Sequence, residues 1–135
     1  MIECEVFKII IDEKSQEQVV VLKEKNGQRL LPIVIGINEA AAIRMKFSGF
    51  VAPRPLTHDL LKSVIKGLDA KLERVEVDKL ENGTFYAKLC IKTDGKLRRI
   101  DARPSDSIAL AVRANAAIFV DEAVLDKSSY SNPKL

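Results

Sequence analysis

Apolar and polar residues alternate at the start of the chain. The apolar residues occupy the even positions from Ile2 to Val6, and from Phe7 to Ile11 they favour the odd positions. Alternation predicts a β-strand, because successive side chains of a strand point to opposite faces. The change of parity predicts either a bulge or a strand that is covered on both faces.

Two more strands are predicted downstream. The unbroken apolar run 19–22 is typical of a buried strand, and Asn26-Gly27 is typical of a hairpin turn that leads into 29–35. Pro32 cannot donate a ladder hydrogen bond, which favours an edge strand or a bulge for this third strand. The Pro32 strand and the first strand are therefore candidate sheet edges that need covering.

Helical spacing begins in the next segment. Asn38 is expected to cap a helix over 40–47, with Glu39 at its positive end, and Gly49 to end it. A proline-containing extended piece follows, after which Thr57 is expected to cap a second helix. The apolar positions of this second helix recur at helical spacing and predict a buried stripe, made of Leu60, Leu61, Val64, Ile65 and Leu68.

The second half of the chain predicts a meander. Residues 71–80 lead through Asn82-Gly83 into 84–93, which alternates cleanly between apolar and polar residues. Asp94-Gly95 then leads into 96–103. Both dipeptides are strong signals for tight hairpin turns, so the three strands are expected to be sequential antiparallel neighbours.

The end of the chain completes the predicted fold. Residues 107–115 are apolar on nearly all sides and predict a buried helix, followed by a short strand over 117–120 and a last helical turn over 121–127. Because strands and helices are grouped, the class is α+β, with a mixed, largely antiparallel sheet and three to four helices in a single domain over 1–127. Residues 128–135 are expected to form a flexible tail.

Composition and charge exclude several classes of protein. Twenty-two Lys and Arg residues against 19 Asp and Glu give 135 residues a net charge of +3, which permits a polyanionic partner without requiring one. Two cysteines cannot build a disulfide framework, and a single histidine excludes zinc sites of paired histidines. No apolar run is long enough for a membrane span, and the first residues resemble no signal peptide, so we expect a cytoplasmic protein with no membrane partner.

Polar residues are concentrated where predicted elements meet. Glu39 lies at a strand-to-helix junction, residues 57–59 (Thr-His-Asp) start the second helix, and residues 103–107 (Arg-Pro-Ser-Asp-Ser) lead from a strand into the buried helix. Ordinary helix capping explains each junction, and a functional site is the alternative. A helix N-terminus offers free N–H groups and positive potential, which suit a phosphate group. We expect at least two of these three junctions to converge in one concavity.

A charged strand face is the fourth unusual feature. Arg99, Asp101 and Arg103 are two residues apart, and strand geometry places all three on one face, with Ile100 and Ala102 on the other. Such a face is either a solvated set of ion pairs or part of a site.

Three sequence blocks carry a resemblance to a known family, namely residues 31–40 (LPIVIGINEA), 54–61 (RPLTHDLL) and 101–111 (DARPSDSIALA). Together they resemble the bifunctional nuclease domain family, and the likeness extends from the start of the chain to about residue 127. Each block alone is weak, but three in this order across most of the chain are specific. The resemblance implies an α+β fold, pairing into dimers with a groove as the suggested active site, and DNase and RNase activity.

The resemblance leads to a nuclease hypothesis in which the matched positions take roles. Hydrolysis of a phosphodiester needs proton transfer and neutralisation of phosphoryl charge, which carboxylates with Mg²⁺ or Mn²⁺ can supply. The candidate catalytic residues are His58, Asp59, Asp101, Asp106 and Glu39; the candidate phosphate-binding residues are Arg103, Ser105, Thr57 and Arg54; the candidate metal ligands are Asp101, Asp106 and Glu39. Few aromatic residues are present to stack on bases, so cleavage of DNA and RNA is expected to have low sequence specificity.

A second hypothesis is a non-catalytic dimeric binding module. It would use the same polar groups to hold a small anion or a protein partner. The single histidine and the modest net charge favour this alternative, because strong polyanion binders carry a clearer basic stripe. Cleavage assays on DNA and RNA separate the two hypotheses.

Overall fold

The computed structural model describes residues 1–130 and contains, within them, a seven-stranded mixed sheet and four helices. In chain order the elements are β1 (Ile2–Ile11), β2 (Gln18–Glu24), β3 (Leu30–Ile35), α1 (Ile37–Ser48), α2 (Thr57–Gly67), β4 (Lys71–Glu81), β5 (Thr84–Thr93), β6 (Lys96–Ala102), α3 (Pro104–Ala114), β7 (Ala117–Val120) and α4 (Glu122–Ser128). The predicted α+β class is confirmed.

The sheet consists of two meanders joined by one short strand. Its strand order is β3-β2-β1-β7-β4-β5-β6, and every neighbouring pair is antiparallel except β4 with β7. The chain leaves the β6 edge, crosses the sheet as α3, and returns as β7 in the middle. The buried helix α3 is therefore fixed between an edge strand and the centre of the sheet.

The first half of the sheet confirms two predictions and corrects one. The pairing of β1 with β2 shifts register between Val6 and Lys8, so the change of parity marks a bulge. Pro32 lies on β3, which is a sheet edge as predicted. The first strand is not an edge, because β1 pairs with β2 on one side and with β7 on the other.

The two predicted hairpin turns of the second meander are confirmed. Asn82 and Gly83 have φ values of 51° and 78°, and Asp94 and Gly95 have 51° and 72°. Two consecutive left-handed residues match the right-handed twist of the flanking strands, and Asn-Gly and Asp-Gly tolerate that conformation best. These turns set the registers of β4 with β5 and of β5 with β6.

The helices pack on one face of the sheet. Val75 and Val77 of β4 belong to one contiguous hydrophobic cluster with Ile43 of α1, Ile108 of α3 and Leu125 of α4. Because alternate residues of a strand share a face, these helices cover the same face. Helix α3 is buried as predicted and contacts both α1 and α2. It begins at Pro104, earlier than predicted, because proline suits the first helical position.

Two helix starts differ from the predicted caps. Helix α1 begins at Ile37 with Gly36 as its N-cap, so Asn38 lies inside the first turn. Helix α2 begins at Thr57 with Leu56 as its N-cap, so Thr57 is not the cap either. In α2 the Asp59 carboxylate accepts a hydrogen bond from the Leu56 N–H at 3.0 Å, which takes over the capping that Thr57 was expected to perform.

The predicted buried stripe of α2 is wrong. Leu60, Val64 and Leu68 are 55%, 48% and 71% exposed, and Leu61 is 40% exposed; only Ile65 packs against the core. The helical spacing correctly predicted an apolar face. Whether that face is covered depends on the neighbours of α2, and within residues 1–130 no element covers it.

Little of the predicted tail 128–135 can be compared with the structure. Ser128 ends α4, and Tyr130 pairs with Leu30 through backbone hydrogen bonds of 2.7 and 3.0 Å. Residues 131–135 lie outside the described residues. In the part of the chain that is described, no helix has the length and apolar character needed to cross a membrane.

The two cysteines should be unreactive in the folded protein. Cys4 and Cys90 are both free and buried, and burial raises the pKa of the Cys4 thiol to about 11. The thiolate is the reactive form. At about pH 8 a thiol-specific chromogenic reagent should therefore leave the native protein unmodified and titrate both thiols in denaturant. Rapid reaction of either thiol in the native state would contradict this burial.

Candidate functional site

The first turns of three helices meet at one cavity. The cavity has a volume of about 670 Å³. Its polar lining comes from α1, α2, and the junction of β6 with α3, namely Asn38, Glu39, Thr57, His58, Asp101, Arg103 and Asp106. The predicted convergence of the three junctions is thus confirmed. Apolar side chains from α1, α3 and β5, among them Met45, Leu110 and Leu89, complete the lining.

The convergence follows from how α3 is placed. Helices α1 and α2 both contact α3, and each begins beside the start of α3. The N-terminal turns of helices carry unpaired N–H groups and a partial positive charge. Three such turns around one concavity favour an anionic group there.

Asp106 is the central contact of the site. One carboxylate oxygen, Oδ1, lies 3.0 Å from Nε2 of His58. The other, Oδ2, accepts a hydrogen bond from Nε of Arg103 at 3.2 Å and lies 3.1 Å from Nη2 of the same guanidinium in a salt bridge. Asp106 thus links α2 to the α3 N-cap residue. When Asp106 is ionised it can only accept, which places the proton of the neutral imidazole on Nε2.

The two partners of Asp106 differ in exposure. His58 is the one buried residue of α2, at 7% exposed, whereas the Arg103 side chain is 71% exposed. Nη2 of Arg103 also lies 4.0 Å from Oε1 of Glu39. Arg103 therefore stands between two carboxylates with most of its guanidinium accessible, where it can contact a bound anion.

Asp59 is turned away from this cavity. Its carboxylate accepts hydrogen bonds from the Leu56 N–H at 3.0 Å and from Nε of Arg113 at 2.9 Å. The Leu56 N–H and the Arg113 guanidinium hold the pKa of this carboxyl below its usual range. Adjacent residues of a helix point about 100° apart, so Asp59 and His58 face different sides. Asp59 anchors α2 to α3.

Asp101 is only partly brought into the site. It lines the cavity, but its side chain is 80% exposed and its Oδ1 lies 3.7 Å from Nζ of Lys88, its cross-strand partner. Lys88 alternates with the core residue Leu89 and so belongs to the helix-free face of the sheet. Asp101 is therefore at the cavity rim and oriented toward the opposite face.

The predicted common face of Arg99, Asp101 and Arg103 is not maintained. Strand β6 ends at Ala102, and Arg103 is the N-cap of α3, so strand alternation stops before Arg103. Arg99 instead lies 3.4 Å from Glu76 on the helix-free face. The turn into α3 directs Arg103 toward Asp106.

Two predicted phosphate-binding residues lie elsewhere. Ser105 is buried at 6% exposed and is not in the lining of the cavity. Arg54 lines a second cavity beside the first, together with Asp59. Of the four candidates for phosphate contact, Arg103 and Thr57 line the first cavity.

The expected three-carboxylate metal site is not assembled. Among residues 1–130, no three His, Cys, Asp or Glu side chains lie close enough together to hold a metal ion. Asp101 is paired with Lys88, while Asp106 is paired with His58 and Arg103. As a protein-only ligand set, Asp101, Asp106 and Glu39 therefore do not fit Mg²⁺ or Mn²⁺.

Sequence reasoning missed Arg113. This residue is 6% exposed in α3; its Nε donates to Asp59 and its Nη1 donates to the Ala109 carbonyl at 3.1 Å. The available signal was the single charged residue in the otherwise uncharged stretch 107–114 of this helix, because a buried charge needs a partner. Its partner, Asp59, was distant in sequence and already had an explanation as a helix-start residue.

Comparison with known proteins identifies relatives across most of the chain. A family model described as the bifunctional nuclease domain matches residues 20–133. An uncharacterized protein of Mycobacterium tuberculosis is 43% identical over 131 residues, which cover 97% of this chain and 78% of that protein.

Two plant relatives are more distant and longer. Bifunctional nuclease 1 of Arabidopsis thaliana is 26% identical over 107 residues, covering 76% of this chain and 33% of the plant protein. Bifunctional nuclease 1 of Oryza sativa subsp. japonica is 22% identical over 116 residues, covering 83% and 35%. The match thus spans about a third of the length of the plant relatives.

Asp59→Asn should destabilise the protein without changing the fold. It removes the charged partner of buried Arg113 and weakens the Leu56 contact. The free energy of unfolding should fall by about 1 kcal/mol, which is a small value for a hydrogen-bonded charge pair, because the Asp59 side chain is 39% exposed. A carboxyl whose pKa is lower in the folded than in the unfolded protein stabilises the fold at pH values above its unfolded pKa of about 3.9. This stabilisation is lost as the pH falls through the pKa of the folded state.

Urea unfolding between neutral and acidic pH measures this effect. The variant should be less stable at neutral pH, and the difference from the parent should shrink in acid. Glu73→Gln is the matched control, since Glu73 is exposed and has no salt bridge within residues 1–130. Equal stability of Asp59→Asn and Glu73→Gln at neutral pH would show that the Asp59–Arg113 pair is not an anchor.

Proposed function

The chain belongs to the bifunctional nuclease domain family, and on that basis we propose that it hydrolyses phosphodiester bonds of DNA and RNA in the cavity at the three helix N-termini. The observation that carries the proposal is the contact chain from His58 through Asp106 to Arg103 inside that cavity. It combines a group that can move protons with a group that can hold phosphate, and phosphodiester hydrolysis needs both.

Each residue of the contact chain has a distinct role in the proposed reaction. His58 accepts a proton from the attacking water as the new P–O bond forms, and Asp106 holds the ring and stabilises the imidazolium. Arg103 donates to the nonbridging phosphoryl oxygens, where negative charge develops. The bond to the sugar oxygen then breaks, and that oxygen takes a proton from solvent or from the imidazolium. Thr57 and the first turn of α3 position the phosphate.

Metal assistance stays a prediction. Mg²⁺ is often held by one or two carboxylates together with substrate phosphates, where it neutralises phosphoryl charge. Glu39 and Asp106, on either side of Arg103, are the two carboxylates available for such binding, with Asp101 at the rim as a weaker candidate. Cleavage assays with EDTA, Mg²⁺ and Mn²⁺ decide whether a metal takes part.

Low sequence specificity and a cytoplasmic location complete the proposal. Among residues 1–130, no phenylalanine, tyrosine or tryptophan lines this cavity to provide a large ring on which a base could stack. Two unpaired, buried cysteines are typical of proteins in a reducing compartment.

We also propose that the chain forms a homodimer through α2. Leu60, Val64 and the C-cap residue Leu68 form an exposed apolar face of this helix, and its charged residues lie on the other side. An exposed apolar helix face is typical of an interaction surface. Because α2 also carries His58, pairing through it would place two candidate sites near one interface.

The burial of His58 favours a second candidate function. A buried histidine held by an aspartate can be a structural link between helices, and the cavity would then bind an anion without cleaving it. This is the non-catalytic binding module, and the same variants that test the nuclease distinguish it.

Asp106→Asn and His58→Asn should each lower cleavage of plasmid DNA and RNA at least about tenfold while the protein stays folded. The first removes the carboxylate charge from His58 and Arg103, and the second removes the group that moves the proton. Glu73→Gln, purified in the same way, should cleave like the parent and controls for contaminating nucleases. Melting temperatures are measured for all variants.

Two results would count against the nuclease. If Asp106→Asn and His58→Asn fold and cleave like the parent, the cleavage comes from another site or from a contaminant. If both melt much lower and cleave normally per folded molecule, the pair is structural and the binding module is favoured.

Light scattering should report a mass of about twice 15.0 kDa at micromolar concentration. The double variant Leu60→Lys/Val64→Lys should be monomeric, because it places two charges on the apolar face of α2. Leu97→Lys, at an exposed leucine on the β6 edge, should remain dimeric. A monomeric parent, or a dimer that survives the α2 variant, would overturn pairing through α2.

A further inference from the structure

A second cavity lies beside the first, on the other side of Leu56 and Met45. These two residues line both cavities. The second cavity has a volume of about 620 Å³ and is bounded by α1, α2 and the loop 49–56 between them. Its charged lining comes mainly from basic residues, namely Lys46, Arg54, Lys62, Lys66 and Arg113, with Asp59 as the single acid.

The two cavities differ in charge. In the first cavity, Glu39, Asp101 and Asp106 outnumber the single arginine. In the second, Arg113 is neutralised by Asp59, but the other four cations have no salt-bridge partner among residues 1–130. A polyanion held only by the first cavity would face an excess of carboxylates. The second cavity provides the missing positive charge.

The loop that borders the second cavity carries exposed apolar side chains. Phe50 is 57% exposed and Val51 is 86% exposed. The ring of Phe50 stands in the lining with Lys46 and Arg54. An exposed aromatic ring within a set of cations is the usual composition of a surface that binds unpaired nucleic acid, where bases stack and phosphates are neutralised.

We propose that this second cavity binds an unpaired nucleic-acid strand next to the reacting phosphate. Lys46, Arg54, Lys62 and Lys66 contact backbone phosphates, and a base stacks on Phe50. The proposal rests on the proposed nuclease function for its substrate class, and it adds that affinity comes from a surface separate from the catalytic contact chain.

An unpaired strand fits this surface better than a duplex. The cations line a concavity rather than a convex or flat face, and a flexible strand can bend into it. Stacking on Phe50 also needs a base that is splayed out, and in a duplex the bases are stacked inside. Single-stranded DNA and RNA share the chemistry involved, so both should bind.

Binding can be measured without cleavage. Fluorescence anisotropy with phosphorothioate-linked single-stranded DNA and RNA oligonucleotides, which resist hydrolysis and keep the backbone charge, reports affinity for each protein variant. The test variants are Lys62→Gln/Lys66→Gln and Phe50→Ala. The matched control is Lys14→Gln/Lys127→Gln, which makes the same change in net charge at exposed residues outside both cavities.

The lysine variant should bind single strands at least about fivefold more weakly, and the slope of log affinity against log salt should fall by about 1.4, or 0.7 for each lost phosphate contact. Phe50→Ala should weaken single-strand binding at least about fivefold and leave duplex binding unchanged. The control should bind like the parent at equal salt.

The outcomes separate this proposal from the nuclease itself. If Asp106→Asn abolishes cleavage but the lysine variant binds and responds to salt like the control, the nuclease stands and the second cavity is not its strand-binding surface. If no variant affects cleavage but the lysine and phenylalanine variants lose single-strand affinity, the strand-binding surface stands and the nuclease fails. Equal binding of duplex and single strand by the parent, or no binding of single strands, overturns the proposal.

Discussion

Burial of α3 between the sheet and helices α1 and α2 is the packing constraint on which the rest of the structure depends. The helix contributes Ile108 and Leu110 to the core and contacts both other helices. Its N-terminus leaves the edge strand β6, and its C-terminus leads to β7 at the sheet centre. A helix fixed at both ends in this way gives the residues of its first turn a defined position, and the candidate site is built on that turn.

Two side-chain contacts then fix α2 against α3, one near each end of α3. His58 contacts Asp106 at the start of α3, and Asp59 contacts Arg113 near its end. These adjacent residues of α2 reach opposite ends of α3 because they point to different sides of the helix. The two contacts hold α2 in place with little help from hydrophobic burial, which explains how a helix with an exposed apolar face can keep a defined orientation.

The same arrangement divides the surface into two cavities with different chemistry. Leu56 and Met45 form the division between them. Carboxylates and His58 lie on one side, where proton transfer could occur, while unpaired cations lie on the other, where a polyanion would gain affinity. Because the four cations of the second cavity lie apart from these carboxylates and have no salt-bridge partner among residues 1–130, their positive charge is available to a bound polyanion.

Local pattern determined the elements of this protein. Several features depend only on neighbouring residues, so each could be predicted from sequence. They are the parity change at Phe7, the edge position of the Pro32 strand, the Asn82-Gly83 and Asp94-Gly95 turns, and the apolar circumference of α3. The convergence of Glu39, His58 and Asp106 was also predicted in outline, because all three lie at junctions where a helix starts.

Only the tertiary structure decided which of two adjacent polar residues enters the site, and which apolar face is covered. His58 and Asp59 are neighbours at the start of the same helix, so the local sequence does not distinguish their roles. Arg113, which is distant in sequence, forms a hydrogen bond with Asp59 and holds it outside the first cavity. Arg103 leaves the face of Asp101 because the chain turns into α3 at that residue. The apolar face of α2 has the spacing of a core helix and no neighbour among residues 1–130 to cover it. Spacing specifies where a side chain points relative to its own element, while burial and pairing depend on partners that are distant in sequence.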